Sequence, residues 1–157
     1  MEKDFLIIIP VHNELKQIKK ICFKIKNKYN FVIIDDCSSD NTSLFLKKKK
    51  ILFIKNKTNI GYEKTLLRGL RYGLKRNYKY ILTMDGDGEH NTNDIKKLIN
   101  KCKKNSAELV LGVRDFKPRI MEIVFSHFYK FKYRVSDPLS GFKIYKSNLF
   151  KNINISN

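Results

Sequence analysis

The chain has 157 residues, 42% of them hydrophobic, so it can build one complete core but not two comfortable domains. Its 33 Lys and Arg against 15 Asp and Glu give a net charge of +18, which favours anionic partners such as phosphorylated substrates, lipid headgroups or nucleic acid. No apolar run approaches the ~20 residues of a membrane span, and the N-terminus is unlike a signal peptide. The three cysteines are well separated, which argues against a disulfide framework or a zinc site. A single domain over residues 1–157, in a reducing cytosol, is therefore expected.

Short apolar runs alternate with amphipathic stretches, which is typical of strand-helix units on a mostly parallel sheet. The predicted strands, in chain order, are Phe5–Ile9, Phe31–Ile34, Ile51–Ile54, Tyr80–Met84, Leu109–Val113 and Phe142–Tyr145. The predicted helices between them are Leu15–Lys28, Thr42–Lys48, Glu63–Lys75 and Asp94–Lys103. Capping residues in 38–42 and 91–93 precede two of the helices, and lysine runs at 47–50 and 101–104 fall at helix ends, where cations complement the helix dipole.

Polar residues follow each of the first five predicted strands. These clusters are residues 10–14, 35–40, 56–61, 85–90 and 114–115. In an open α/β sheet, ligands bind in the crevice beyond the carboxyl ends of the strands. The sequence therefore predicts a binding site along one edge of the sheet.

The fourth polar cluster belongs to the run Met-Asp-Gly-Asp-Gly-Glu-His after a buried strand. Gly86 and Gly88 allow the backbone to turn tightly, so Asp85, Asp87 and Glu89 are expected to converge on a hard cation. Mg²⁺ or Mn²⁺ fits, since such ions keep open positions for phosphate oxygens. A solvated acidic turn explains this segment equally well when it is taken alone.

Two named alternatives apply to the same cluster. An EF-hand loop needs glycine at its sixth position and glutamate at its twelfth, and counting from Asp85 these positions hold His90 and Lys96, so that reading fails. A phosphatase with an aspartate nucleophile in an Asp-x-Asp turn is a minor alternative, because such folds usually place that turn after the first strand.

Six short blocks of the sequence carry motif residues: residues 9–14, residues 32–42, residues 59–61 with Gly69, residues 84–90, residues 112–114 and residues 137–143. In this order they resemble the motifs of family 2 glycosyltransferases. The fourth is similar to the Met-Asp-Ala-Asp-x-Gln-His of polyprenyl-phosphate and dolichyl-phosphate hexose transferases. The resemblance implies a GT-A fold, an α/β Rossmann-like and mostly parallel sheet flanked by helices. The family normally continues beyond the sixth block, so the fold is expected to be shortened at its C-terminus.

The resemblance also implies a metal-dependent inverting glycosyltransferase that moves a hexose from a nucleotide sugar to a polyprenyl phosphate. The residues expected to contact the nucleotide sugar are Pro10, His12, Glu14, Asp35, Asp36 and Asp85. The residues expected to hold Mg²⁺ or Mn²⁺ are Asp85, Asp87 and Glu89. Catalysis is assigned to Asp87 and Arg114.

The acceptor side of the predicted site needs a cationic cradle more than a strong base, because polyprenyl phosphate is already an anion. By resemblance, Arg114 and Lys143 bind the acceptor phosphate. Lys143 stands where the family has arginine, which keeps the charge but loses the bidentate fork.

Two further interpretations of the function stay open. One is transfer to a soluble or cell-surface glycan hydroxyl, with Asp137 as the base. The other is a non-enzymatic basic module, which has only the net charge in its favour and no nucleic-acid recognition motif.

The segment Arg119–Arg134 is predicted to be an amphipathic helix with Phe128 and Phe131 on one face and cations around it. Such a helix suits an anionic membrane surface, and a core-facing helix is the alternative. A cytoplasmic protein at the inner face of a membrane is expected, bound through this surface or through a membrane-spanning partner. No nucleic-acid partner is expected. Among the departures from the family pattern, Tyr62 stands where the related branch usually has lysine.

Overall fold

The computed structural model describes residues 3–105, 107–112 and 140–150 of the chain. Its strands are β1 (Phe5–Val11), β2 (Asn30–Asp35), β3 (Phe53–Lys55), β4 (Tyr80–Thr83), β5 (Leu109–Leu111) and β6 (Lys143–Lys146). Its helices are α1 (Leu15–Ile25), α2 (Thr42–Lys48), α3 (Tyr62–Lys75) and α4 (Asp94–Asn105), and a 3-10 helix covers Ser147–Phe150. The six predicted strands and the four predicted helices between them are present, with ends displaced by a few residues, whereas the helix predicted over Arg119–Arg134 lies outside the described residues.

The six strands form one sheet in the order β3-β2-β1-β4-β6-β5. The pairs among β1, β2, β3 and β4 are parallel, whereas β6 runs antiparallel to both β4 and β5. The first residue of β6, Lys143, pairs with Thr83 at the end of β4 and with Leu111 at the end of β5. Residues 140–142 therefore reach the same edge of the sheet as the loops that follow the parallel strands.

The centre of the sheet is buried on both faces, which explains why its strands read as continuous apolar runs. Ile7 and Ile9 of β1 pack in a core with α1, α2 and α4, and the alternate residues Leu6 and Ile8 pack in a second core with α3. Each of these four side chains is at most 1% exposed. Full burial of an aliphatic side chain of this size contributes roughly 1.5–3 kcal/mol.

Gly69 allows α3 to lie close against the sheet. A Cβ atom at this position would overlap Cγ2 of Ile8 and lie 3.1 Å from Cγ1 of Ile34. Any side chain here would push the helix away from β1 and β2. This close approach gives a physical reason for the helix glycine noted in the sequence.

The Asp40 carboxylate connects the first residues of α1 and α2. Its Oδ2 accepts the N–H of Leu15 at 2.8 Å, and its Oδ1 accepts the N–H of Thr42 at 3.1 Å and the Thr42 hydroxyl at 2.5 Å. Burial alone would raise the pKa of Asp40, but these hydrogen bonds outweigh it and lower the pKa below its ordinary value. The carboxylate thus satisfies otherwise unpaired donors at two helix starts.

Within the part of the chain that the structure describes, no helix has both the length and the apolar character needed to cross a membrane. Cys22, Cys37 and Cys102 are all free thiols, and the first and last of them are buried. Burial raises the pKa of the Cys22 thiol to about 11, so this side chain behaves as a small apolar core residue.

Candidate active site

The loops beyond the carboxyl ends of β1 to β4 lie together at one edge of the sheet, as the polar clusters predict. The backbone itself ties the first three loops to one another. The N–H of Asp36 donates to the carbonyl of Val11, and the N–H of Asn56 donates to the carbonyl of Asp35, each at 2.8 Å. The edge is therefore a continuous polar surface on a rigid sheet.

The Asp36 carboxylate organises the loop that leads into α3. Its Oδ1 accepts the N–H of Ile60 at 2.9 Å and the side-chain amide of Asn56 at 2.7 Å, and its Oδ2 accepts the N–H of Gly61 at 2.9 Å. Only 4% of Asp36 is exposed. Burial alone would raise its pKa, but the hydrogen bonds from Ile60, Asn56, Thr65 and Gly61 together lower the pKa. Asp36 thus acts as a fixed anion beneath the loop.

The Asp35 carboxylate is fully buried and also turned towards protein donors. Its Oδ1 accepts the N–H of Ser38 at 2.9 Å, and its Oδ2 accepts the hydroxyl of Ser43. Asp35 and Asp36 lie at the predicted edge, but in this structure their carboxylates hold turns together. Contact of either with a nucleotide stays a prediction.

His12, in the first loop, contacts the second and third loops. Its Nδ1 is 2.8 Å from the carbonyl oxygen of Asp36, and its Nε2 is 3.1 Å from Nδ2 of Asn13 and 3.4 Å from Nδ2 of Asn59. These partners favour the tautomer in which Nδ1 carries the proton and Nε2 accepts. The exposed ring therefore presents a defined orientation at the edge.

Two other predicted nucleotide contacts flank His12. Pro10 is a buried residue of β1, and its carbonyl oxygen would lie 2.9 Å from a Cβ atom at Gly86. Glu14 is half-buried and immediately precedes α1. The first loop is thus packed directly against the turn after β4.

Asp85, two residues after the end of β4, is held from two sides. The hydroxyl of Tyr62 donates to its Oδ1 at 2.6 Å, and Nε2 of His90 lies 3.0 Å from its Oδ2. The His90 ring is buried and stacks on Phe142, with ring centroids 5.0 Å apart and an interplanar angle of 20°. Partial desolvation, the hydrogen bond to Asp85 and the charge of that carboxylate raise the pKa of Tyr62, so Tyr62 is a protonated donor. The Asp85 carboxylate is therefore fixed in orientation.

Backbone from the start of β6 closes a further side of Asp85. The hydroxyl of Thr83 donates to the carbonyl of Gly141 at 2.7 Å, which holds this strand start in place. A Cβ atom at Gly141 would overlap both oxygens of the Asp85 carboxylate. The Asp85 carboxylate can occupy its present position only because residue 141 is glycine. A single methyl group on Gly141 would fill the space that the carboxylate occupies.

Asp87 lies on the exposed turn two residues beyond Asp85. Its Oδ1 accepts the N–H of Glu89 at 2.9 Å, and Gly88 between them adopts a positive φ of 85°. In residues 3–105, 107–112 and 140–150, no group of three or more His, Cys, Asp or Glu side chains is arranged to hold a metal ion. The expected convergence of all three carboxylates is thus not seen there, because Asp85 is turned to Tyr62 and His90 and Asp87 to its own turn. The donor chemistry still fits Mg²⁺ or Mn²⁺, since Asp85 and Asp87 offer hard oxygens from neighbouring turn positions.

The predicted acceptor residues are only partly described. Lys143 is half-buried at the start of β6, on the same edge as Asp85. Arg114, Asp137 and the segment Arg119–Arg134 lie outside the described residues.

Three residues at the centre of the site were not among the predicted site residues: Tyr62, His90 and Gly141. The sequence does single out Tyr62, because it departs from the family pattern, but that departure alone does not indicate a contact with Asp85. His90 and Gly141 fall inside two of the six sequence blocks. Their role depends on contacts with Asp85 that arise only when α3, the turn after β4 and the start of β6 pack together.

Comparison with known proteins identifies the family. The family model described as glycosyl transferase family 2 matches residues 6–151. The chain belongs to this family. An uncharacterized protein of Methanocaldococcus jannaschii is 34% identical over 94% of the chain and 74% of its own length. The UDP-N-acetylglucosamine–dolichyl-phosphate N-acetylglucosaminyltransferase of Methanococcus voltae is 27% identical over 96% of the chain and 72% of its own length. The predicted family is thus confirmed.

Comparison with solved structures confirms the predicted GT-A fold. The glucosyl-3-phosphoglycerate synthase of Mycobacterium tuberculosis, in complex with Mn²⁺, UDP-glucose and glycerol 3-phosphate, superposes with a TM-score of 0.77 at 17% identity. The match covers 95% of the chain and 58% of the synthase. The chain therefore spans little more than half the length of that solved protein.

Proposed function

We propose that this glycosyltransferase is a metal-dependent, inverting enzyme that transfers a hexose from a nucleoside-diphosphate sugar to a polyprenyl phosphate. One observation carries the proposal: a family 2 chain holds an oriented Asp85 carboxylate next to the exposed Asp87 at the carboxyl edge of its sheet. The name of the M. voltae relative, with its UDP-sugar donor and dolichyl-phosphate acceptor, supports the choice of substrates.

On this proposal, Asp85 and Asp87 would hold Mg²⁺ or Mn²⁺ against the donor diphosphate, with Glu89 as a third ligand once the donor is present. A bound ion would neutralise the charge that develops on the departing nucleoside diphosphate. Tyr62 and His90 hold the Asp85 carboxylate in one orientation, and its oxygens are hard ligands of the kind that such a cation prefers. The protein groups are electrostatic holders and transfer no proton.

The base and ribose of the donor would lie over the first three loops, near His12, Glu14 and the loop that Asp36 supports. Exposed donors and acceptors at strand ends are suited to hydrogen bonds with a base edge and ribose hydroxyls. The fixed orientation of the His12 ring supports such a role.

The acceptor phosphate would be bound by Arg114 and Lys143. Because the phosphate oxygen is itself the nucleophile, it attacks the sugar C1 as the bond from C1 to the diphosphate oxygen breaks, with inversion at C1. No general base is required, and the cations offset repulsion between acceptor and donor phosphates. Transfer to a glycan hydroxyl would instead require a base, for which Asp137 is the candidate.

The direct test supplies folded protein with Mn²⁺, labelled UDP- and GDP-sugars, and short polyprenyl phosphates in detergent. A radiolabelled glycolipid is the expected product. A product formed only with glycan acceptors would favour the hydroxyl-transfer alternative, and no product with any donor would contradict the proposed activity.

A second test isolates the metal site. Asp87→Ala should weaken Mn²⁺-dependent binding of nucleoside diphosphate by about tenfold or more, as expected for loss of a ligand from a site with few protein groups. Asp4→Ala is a matched control, since Asp4 is exposed and precedes β1 at the opposite edge of the sheet. Calorimetric titration with and without Mn²⁺ measures both variants. Equal affinities in wild type and Asp87→Ala would mean that the turn holds no metal.

A further inference from the structure

The outer surface of α1, α2 and the residues just after them, 15–28 and 42–50, carries an unusual charge distribution. We refer to it as the basic face. Six lysines in the first segment and four in the second are accompanied by no Asp or Glu. All ten lysines are exposed. Complementing the helix dipoles accounts for the lysines in the last turns of α1 and α2, but not for those along the body of α1.

Two large apolar side chains protrude from the basic face. Phe23 of α1 is 90% exposed and Leu44 of α2 is 65% exposed. They border a groove of about 810 Å³ between the two helices, lined also by Phe45 and Ile51. The groove begins beside Leu15 and Asn41, next to the loops of the candidate active site, and extends to Lys26 and Lys49.

The combination of lysines and protruding apolar groups narrows the choice of partner. Nucleic acid would neutralise the lysines and could stack a base on Phe23, but it offers no apolar phase for Leu44. An anionic bilayer offers both, since lysines bind the headgroups while Phe and Leu side chains enter the acyl boundary. The spread of lysines over two helices and their ends also fits a planar surface better than a single acidic peptide.

We propose that the basic face binds anionic phospholipid membranes, with Phe23 and Leu44 inserted among the lipids. Its biological purpose rests on the proposed function, because a polyprenyl acceptor stays in the bilayer. The binding itself requires no donor, metal or acceptor. This surface is distinct from the Arg119–Arg134 segment, which the sequence favours for membrane contact.

The absence of tryptophan from the chain permits a site-specific probe. Phe23→Trp places the only indole on the basic face, and Leu67→Trp is the matched control on α3, where Leu67 is 38% exposed on the opposite side of the sheet. With vesicles containing phosphatidylglycerol, the emission of Phe23→Trp should move to shorter wavelength and be quenched by brominated acyl chains. The emission of Leu67→Trp should not change. Equal responses, or none from Phe23→Trp, would overturn the proposal.

Vesicle flotation gives the corresponding affinities. Lys24→Glu with Lys48→Glu should weaken binding to anionic vesicles by at least about tenfold, because each substitution replaces attraction to the anionic headgroups with repulsion. Lys64→Glu with Lys75→Glu makes the same change in net charge on α3 and should weaken vesicle binding much less. Because both double variants lose the same net charge, a difference between them reports the position of the lysines. All four lysines are exposed, and thermal melts verify that both variants fold.

Phe23→Ser with Leu44→Ser should also weaken vesicle binding, whereas Phe128→Ser with Phe131→Ser should not. Loss of binding only in the second pair would transfer the membrane contact to the Arg119–Arg134 segment and overturn the proposal. Glycosyl transfer in detergent is measured separately on each variant. Retained transfer with lost vesicle binding supports the basic face, and absent transfer with intact vesicle binding contradicts only the proposed function.

Discussion

The Asp36 carboxylate is the most informative position at which to test the physical account of the site. Asp36→Asn keeps the size of the side chain but replaces one acceptor oxygen with an amide that points at donors. The asparagine can place its remaining oxygen at the Oδ1 position, where it still accepts from Ile60 and Asn56, so of the three donors at 2.7–2.9 Å only the N–H of Gly61 loses its acceptor. The lost hydrogen bond to a charged acceptor is worth about 1.5–3 kcal/mol when buried, and the two that remain are weaker because their acceptor is now neutral. Because Ile60 and Gly61 are exposed, water offsets part of this loss. A loss of about 2–4 kcal/mol in the free energy of unfolding is therefore expected.

Urea unfolding measures this loss. With a slope of about 1–3 kcal/mol per molar urea, the midpoint of Asp36→Asn should fall by about 1–2 M. Asp87→Asn is the matched control, because Asp87 is exposed, and it should stay within about 0.5 kcal/mol of wild type. If the stability of Asp36→Asn is also within that margin of wild type, the carboxylate does not support the loop.

The pH dependence of the same variant gives an independent check. The folded pKa of Asp36 lies below its ordinary value of 3.8, since the loop hydrogen bonds outweigh burial. Its stabilising contribution is therefore fully present above pH 3.8 and is lost as the pH falls through the folded pKa. The difference between wild type and Asp36→Asn should be constant from pH 7 to pH 5 and shrink towards pH 3. A difference that grows on acidification would contradict the sign of the pKa shift.

Two further substitutions test the surroundings of Asp85. Tyr62→Phe removes one hydroxyl from a half-exposed side chain, so the free energy of unfolding should change little. Mn²⁺-dependent binding of nucleoside diphosphate should weaken by about three- to tenfold, because Asp85 loses a donor that orients it. Unchanged or tighter binding in calorimetry would show that Tyr62 does not orient the carboxylate. Gly141→Ala places a methyl group where the Asp85 oxygens lie, and should reduce the same affinity by more than about tenfold while the circular dichroism spectrum is retained. Wild-type affinity in this variant would mean that the start of β6 is not rigidly packed on the site.

The strands and helices were predictable from the sequence because the residues that each of them contributes to the two cores follow a regular spacing along the chain. The continuous apolar run of β1 and the helical spacing of Ile18, Ile21 and Ile25 in α1 reflect burial that each element shows by itself. The edge that carries the site followed from the parallel topology. These inferences need no knowledge of which element packs beside which.

The partners of the site carboxylates were not predictable in the same way. Asp36 and Asp85 are both acidic residues beyond strand ends, yet one is satisfied by backbone N–H groups of a distant loop and the other by Tyr62 and His90. Such pairings depend on contacts between elements remote in sequence. The insertion of β6 between β4 and β5 is of the same kind, since strand order is not encoded in the apolar pattern of either strand.

The position of β6 has a consequence for how the enzyme matures on the ribosome. Thr83 at the end of β4 pairs with Lys143, and roughly 60 residues must be synthesised between them, which takes on the order of 3–12 s. During that interval β4 has one side without a hydrogen-bonded neighbour, a state open to pairing with another nascent chain. Since the residues just before this late strand bring Gly141 against Asp85, the Asp85 side of the candidate active site is completed only after β6 has paired. A ribosome-bound chain stalled before β6 should therefore resist proteolysis over β1 to β3 while still being unable to bind its nucleotide.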